Sequence, residues 1–577
     1  MRCSALWNNP IPAVFYIRPL TGPGMVSDKR EVSDFLNELI ATGITDIVLS
    51  PGSRNAPFSV SLYQNPDFTV IPVADERTAG FIALGRAQQL RRPVVLICTS
   101  GTALLNYGPA LAEAYYQRIP LIAVSADRPA EWIDHGEGQS IRQPGVFQNF
   151  VRSLADIKAA ASDKQRAENR ERISRTIAAA IGPITGPVHL NFPFEEPLYG
   201  MKEWERGGFE PLESAALPVN NLSECADDIR KSEKVLVLAG QLFPTPGLSE
   251  ALHAWAGARG IAVMTESHSN LASPDFITTI DRLITGWSAE DKKRYAPDVL
   301  ITFGQNIISR RVKSWLRQSG CIHWRIDEGG YAEDTYRKLK EVIACSPEKW
   351  LQAMADVDVK SSYASDLLSA NARVREKADE VVVQLPYSDL TVMHSILRTI
   401  PAGWDVQMGN SSVVRYIQLF DSNPFLRYFG NRGVSGIDGV TSTAVGAASV
   451  TDIPTVLITG DIAFLYDSNA FWTPLRPDNL RIIVINNSGG GIFRIIEGPS
   501  STPALDDYFE TTHSRSAEGI ARMYALPFQK VNAASELSEA FEWLFGHQGC
   551  AILEIRTPRT ENDKVLNTYF HAIKSIQ

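Results

Sequence analysis

Two short apolar runs, TVLIT (455–459) and LRIIVI (480–485), each stop abruptly on polar residues, the first on Gly460-Asp461 and the second on Asn486-Asn487. Short, β-branched runs of this kind read as strands buried on both faces of a parallel sheet. The segment between them, IAFLYDSNAFWTPL, has room for a crossover helix. The pair therefore predicts a βαβ unit whose strands end at one sheet edge, where open α/β sheets bind ligands. Asp461 and Asn487, 26 positions apart, then meet there. A carboxylate, an amide oxygen and the carbonyls of a glycine-rich turn form an all-oxygen set. Mg²⁺ favours such a set and often completes its octahedron with phosphates. Taken singly, the same loops read as an Asp helix cap and an Asn-Gly turn.

The pattern recurs along the chain, which at 577 residues is too long for one hydrophobic core. ITDIVLS, TVIPVA, PVVLICT and PLIAVSA form a first series. KVLVLAG, IAVMTES, VLITFGQ and IHWRIDE form a second, after a Pro- and Glu-containing connector near 195–220. A third begins near Val381, after the charged helical stretch SANARVREKADEV. The predicted class is α/β, with three open parallel-sheet domains at 25–198, 199–372 and 373–577. VVLICTSGTALLNYGPALAEA followed by IPLIAVSADRP parallels TVLITGDIAFLYDSNAFWTPL followed by LRIIVINNSGG. The outer domains thus read as a related pair with a different one inserted.

A net charge of −9 without any basic run argues against a nucleic-acid or anionic-membrane partner. An anionic ligand must then be held by local arginines. The six cysteines, at 3, 98, 225, 321, 345 and 550, show no CxxC and no paired spacing, which points to a reduced, cytoplasmic setting. No apolar stretch approaches the roughly 20 residues of a membrane span. Residues 1–24 hold one apolar patch, IPAVFYI, flanked by prolines and without a clear cleavage site. They are expected to be a disordered extension, with Met25 opening an amphipathic helix. A dinucleotide-binding oxidoreductase is disfavoured because no GxGxxG closes a first strand.

Further segments narrow the reading: SPGSRNAPF (50–58), DERTAGFIALGRA (75–87), TSGTALLNYGPALAEA (99–114), SADRPAE (125–131), GQSIRQPGVF (138–147), GNSSVVR (409–415) and NRGVSGIDGVTST (431–443). With Gly460-Asp461-Ile462 and Asn486-Asn487, the chain resembles thiamine-diphosphate-dependent enzymes of the pyruvate-oxidase type. Within them it resembles the 2-succinyl-5-enolpyruvyl-6-hydroxy-3-cyclohexene-1-carboxylate synthase (MenD) family of menaquinone biosynthesis. Ile462 stands where the superfamily's GDG motif ends in Gly, and members of this family often differ there. The likeness runs from about Met25 to the C-terminus, dense in the outer domains and thin in the central one.

The resemblance implies a pyrimidine-binding domain, a central domain and a diphosphate-binding domain. It also implies a reaction in which 2-oxoglutarate loses carbon dioxide and the succinyl carbanion adds in a conjugate manner to isochorismate. Asp461, Asn487 and the Gly489 carbonyl would bind Mg²⁺ (or Mn²⁺), and Glu76 would pair with the aminopyrimidine N1′ of thiamine diphosphate. Gly436, Ile437, Ile462, Ile492 and Phe493 would contact the cofactor, the apolar ones as walls. GIDGVTSTAVGAA would bring a helix N-terminus near its phosphates. Arg54, Arg142, Arg310, Arg311, Arg415 and Arg432 would meet the substrate carboxylates, to which a planar guanidinium offers two parallel hydrogen bonds. Gln139, Ser53 and Ser411 would act as neutral donors. Of the nine histidines only His135 lies in a matched loop, which suits a carbanion kept for carbon-carbon bond formation rather than protonated. The superfamily seats its cofactor between two chains, so a homodimer or homotetramer is implied. The runner-up is another 2-oxoacid decarboxylase or an acetohydroxyacid synthase.

Overall fold

The computed structural model describes residues 24–207, 217–496 and 498–574. It contains three six-stranded sheets, each parallel throughout, and one short antiparallel pair. The first sheet runs Thr69–Pro72, Asp46–Leu49, Val94–Cys98, Leu121–Asp127, Val188–Pro193, Leu154–Asp156 across its width. The third runs Arg427–Gly430, Asp405–Met408, Thr455–Gly460, Leu480–Asn486, Ala551–Arg556, Phe528–Val531. Numbered by appearance in the chain, both have the order 2-1-3-4-6-5. The central sheet, built on Val235–Ala239, Ala262–Thr265 and Val299–Phe303, has the different order 3-2-1-4-5-6 of a doubly wound fold. The outer sheets are thus a topological pair, as their sequences suggest.

In the third sheet Thr455 lies opposite Leu480 and Gly460 opposite Ile485. The two strands therefore end together, and Asp461 begins the short helix Asp461–Tyr466. The LRIIVI run carries one charge, Arg481, which the buried strand accommodates by turning the guanidinium to carbonyl oxygens of Asp478, Leu544 and Gly549. All Arg481 donors shown there find acceptors, as burial requires.

Met25–Ser27 is a strand, not the opening of a helix; it pairs with Met201–Glu203, and the helix starts at Arg30. A three-residue strand whose partner lies so far along the chain leaves no local periodicity to read. Trp204 joins the core of the first domain, beyond the expected limit of 198. At the other junction the helix Tyr363–Val382 serves two domains. Tyr363, Leu367 and Ala370 pack into the central core, while Val374, Ala378 and Val382 pack into the third. The expectation for 1–24 lies outside the described residues, apart from Gly24, whose carbonyl accepts the Trp204 N–H at 2.8 Å.

The outer domains meet through the helices Glu76–Leu90 and Val440–Ala448. A Cβ at Gly85 would stand 2.0 Å from the Thr443 carbonyl oxygen, and one at Gly446 would stand 2.1 Å from that of Ile82. Only glycine allows backbones to cross this closely.

Candidate active site

The C-terminal edge of the third sheet opens into a cavity of about 200 Å³. Ser411, Ile437, Asp461, Ile462, Asn487, Gly489, Ile492 and Phe493 line it, so strand ends, two short helices and the glycine-rich loop converge on one space. Gly436 sits just behind: its carbonyl accepts the Asn410 amide at 2.6 Å, and Asn410 lines the cavity.

The polar floor suits a hard divalent cation. Asp461 is buried; its carboxylate accepts the N–H of Ile462 at 2.7 Å and of Gly489 at 3.1 Å. Asn487 gives its amide N–H to Asp389 at 2.8 Å, which leaves the buried Oδ1 without a partner. A buried acceptor in that state costs free energy unless a ligand meets it. The Gly489 carbonyl accepts the Gly491 N–H at 3.0 Å and retains a second lone pair. One residue at this floor escapes sequence reasoning: His513 Nε2 stands 3.2 Å from Asp461 Oδ2, so a histidine does adjoin the site. Nothing in THSRS marks it, because the loop reaches the floor only through the tertiary fold.

The helix N-terminus expected to face phosphates is partly closed. Asp467 accepts the Ser442 backbone N–H at 2.6 Å and its hydroxyl at 2.7 Å, and burial pushes this carboxyl up to about 6. Every residue of the helix Val440–Ala448 is buried.

Three arginines neighbour one another behind the lining residues Asn410 and Ser411, without lining the cavity themselves. Arg432, only 9% exposed, donates from Nη1 to Asn410 at 2.7 Å while its Nε has no partner. Burial pushes its guanidinium down to about 10, Glu266 opposes the shift and Arg415 adds to it. Arg415 donates to the Ser411 carbonyl at 2.6 Å, and burial followed by Arg310 lowers its pKa. Arg415 and Arg432 both donate to neutral acceptors rather than to carboxylates, which leaves their charge available to an anion. Ser411 itself holds φ +67, a strained value for a residue with a side chain. Arg311 departs from the expectation: its guanidinium lies over the Phe570 ring at 5.0 Å and 3.7 Å from Asp281. Adjacent helix residues point about 100° apart, so Arg310 and Arg311 leave the helix toward different surroundings.

The remaining expected residues lie on the first domain, and none of them lines the cavity. Glu76 opens its helix behind the cap Asp75, is half-buried, and has its pKa raised chiefly by burial. Arg54 is buried with Nη1 on the Phe194 carbonyl at 3.0 Å and its guanidinium over Trp132 at 5.9 Å. Ser53 and Gln139 are exposed, and Arg142, 83% exposed, pairs with Asp134 at 2.7 Å. The expected residues thus fall into two groups, one around the third-sheet cavity and one on the first domain.

Family models match all three domains: "Thiamine pyrophosphate enzyme, N-terminal TPP binding domain" over residues 30–148, "Middle domain of thiamine pyrophosphate" over 201–405, and "Thiamine pyrophosphate enzyme, C-terminal TPP binding domain" over 407–555. A protein of Flavobacterium johnsoniae is 42% identical over 543 residues, 92% of this chain and 96% of its own. One of Porphyromonas gingivalis is 39% identical over 567 residues, 94% of this chain and 97% of its own. One of Cytophaga hutchinsonii is 34% identical over 558 residues, 94% of this chain and 99% of its own. All three are named 2-succinyl-5-enolpyruvyl-6-hydroxy-3-cyclohexene-1-carboxylate synthase.

Proposed function

The chain belongs to the 2-succinyl-5-enolpyruvyl-6-hydroxy-3-cyclohexene-1-carboxylate synthase family of thiamine-diphosphate-dependent enzymes, and we propose that it joins a succinyl unit from 2-oxoglutarate to isochorismate with loss of carbon dioxide. The observation that carries the substrate reading is the Arg310, Arg415 and Arg432 group beside an apolar-walled cavity whose floor holds Asp461 and Asn487. Both substrates are dianions, and this acidic protein must hold them with fixed local cations.

Bound thiamine diphosphate supplies a nucleophilic carbon for the 2-oxo acid and a sink for the electron pair that carbon dioxide leaves behind. Asp461, Asn487 Oδ1 and the second lone pair of the Gly489 carbonyl would hold Mg²⁺ (or Mn²⁺), and the cation would clamp the diphosphate. Ile437, Ile462, Ile492 and Phe493, which line the cavity, would wall the cofactor and exclude water from it. Glu76 would hold the proton at N1′ of the pyrimidine by a charge-assisted hydrogen bond, which its burial strengthens. Arg415 and Arg432 orient substrate carboxylates, Arg310 extends the group, and Ser411 donates a hydroxyl. Ser53, Arg54, Gln139 and Arg142 would approach from the first domain.

Because Glu76 and its neighbours do not line the cavity of their own chain, each site would take its pyrimidine half from a second copy. Our reading of the assembly is accordingly a homodimer, or a homotetramer of such pairs. Among the described residues no helix is long and apolar enough to cross a membrane. The five cysteines at 98, 225, 321, 345 and 550 are free and buried, which supports a cytoplasmic setting. Domain limits of 25–198, 199–372 and 373–577 remain our working division, with the first core reaching Trp204. A decarboxylase that stops at the aldehyde is not favoured, since the arginine group would then have no second substrate to hold. Disappearance of isochorismate only when 2-oxoglutarate, thiamine diphosphate and Mg²⁺ are all present tests the reading; isochorismate left untouched in the full mixture overturns it.

A further inference from the structure

We propose that Asp389 is the positioning residue that decides which end of the Asn487 side chain meets the divalent cation; this rests on the metal site assigned above. An asparagine amide has an oxygen end and an NH₂ end of nearly equal shape, and only the oxygen can ligate a hard cation. Without a fixed neighbour the amide can turn either way. Asp389 removes that freedom. It opens the helix Asp389–Thr399 and is only 3% exposed. Its Oδ1 accepts the Thr557 hydroxyl at 2.5 Å and its Oδ2 accepts the Asn487 N–H at 2.8 Å. Its backbone N–H donates to Asn562 Oδ1 at 2.8 Å, which fixes the main chain that carries the carboxylate.

Both carboxylate oxygens of Asp389 act as acceptors here, Oδ1 from the Thr557 hydroxyl and Oδ2 from Asn487. Asn487 must therefore present NH₂ to Asp389 and leave Oδ1, which has no other partner, on the cavity side beside Asp461. The bond is set by chemistry rather than by shape. Thr557 follows the strand Ala551–Arg556 and Asn562 opens the helix Asn562–Lys574, so the C-terminal segment takes part in aiming a ligand 98 residues along the chain from Asp389.

Asp389→Asn separates aim from packing. The new amide can donate to Asn487 Oδ1, so the Asn487 side chain can turn and point NH₂ at the cation. Mn²⁺ binding in the presence of thiamine diphosphate, read from the electron paramagnetic resonance signal of free Mn²⁺, should weaken by about ten- to a hundredfold, as outer ligand partners typically do when lost. The melting temperature of the cofactor-free protein should stay near that of the wild type. In the double variant Asp389→Asn/Asn487→Asp, the amide at 389 donates to a carboxylate at 487 that offers oxygen to the cation whichever way it turns. Mn²⁺ affinity should then recover most of the loss, which a purely structural role for Asp389 does not explain. If Asp389→Asn does not fold, Asp389→Ala, which removes the acceptor and leaves the Asn487 amide free to turn, carries the same expectation of weakened Mn²⁺ binding. Asp461→Ala is the control. If it abolishes Mn²⁺ binding while the folded Asp389 variants bind as the wild type does, or while the double variant shows no recovery, the positioning role is overturned. If Asp461→Ala binds normally, the metal site itself is wrong.

Discussion

Glu113, on the helix Gly108–Gln117 of the first domain, accepts the backbone N–H of Gly433 in the third domain at 2.6 Å. The same buried carboxylate takes the N–H of Val434 at 2.7 Å and of Ser435 at 3.2 Å. The loop so held begins at Arg432, whose carbonyl accepts the Asn306 amide of the central domain at 2.6 Å and whose guanidinium meets Asn410. All three domains thus converge on one arginine. Glu113→Ala should release that loop and lower kcat/KM for isochorismate by about ten- to a hundredfold, the worth of a charged hydrogen bond at roughly 1.5–3 kcal/mol. Thiamine diphosphate affinity, measured by calorimetry, should be unchanged; unaltered kinetics would show that the loop holds its shape without Glu113.

Asp461→Ala should abolish Mg²⁺-dependent binding of thiamine diphosphate. Without the cation a diphosphate would face the buried Asp389 carboxylate, which lines the same cavity. Calorimetric titration with and without Mg²⁺ measures this, and equal affinity in the variant and the wild type would remove Asp461 from the metal site.

Glu76→Gln should part binding from activation. The amide still bonds to the pyrimidine N1′ but holds a proton there poorly, so cofactor affinity should fall by less than about tenfold. Exchange of the cofactor C2 proton into deuterium oxide should slow by about two orders of magnitude or more. Exchange at the wild-type rate would assign N1′ to another group.

The βαβ unit at 455–493 was legible because each strand is short, apolar and bounded by polar turns. Strand register then places Asp461 and Asn487 at one edge. The kinship of the outer domains was legible for the same reason, since shared patterning tracks shared strand order. The residues that aim the site were not. Asp389 acts across 98 positions and Glu113 across 320, and a carboxylate at a helix start or within an Ala-rich helix reads locally as a cap or a solvated face. Arg310 and Arg311 could not be told apart because the helix phase that separates them is set by packing on Phe570. The capping of the Val440–Ala448 helix by Asp467 was hidden likewise, 25 residues along the chain.

Glu266 should leave a mark on the pH dependence of stability. It is buried and accepts the N–H groups of Ile308 at 2.6 Å and Ser309 at 2.7 Å, just before Arg310. Burial pushes its carboxyl up to about 7 from 4.5. With the folded value above the unfolded one, this group favours the native state most below pH about 4.5, and that contribution is lost as pH rises through about 7. Glu266→Gln lacks the titration, so its melting temperature should fall less than that of the wild type between pH 5 and pH 8. Parallel curves for the two proteins would show that Glu266 is ionised across the whole range.

The reaction itself offers the most direct measurement. The protein is incubated with thiamine diphosphate, Mg²⁺ and uniformly ¹³C-labelled 2-oxoglutarate, with and without isochorismate, and the products are identified by mass. A product carrying the isochorismate skeleton plus a four-carbon labelled succinyl unit, with one labelled carbon dioxide released for each, is the predicted result, and Arg432→Ala should reduce it by about ten- to a hundredfold. Labelled succinic semialdehyde as the only product in both mixtures, with isochorismate recovered unchanged, would contradict it.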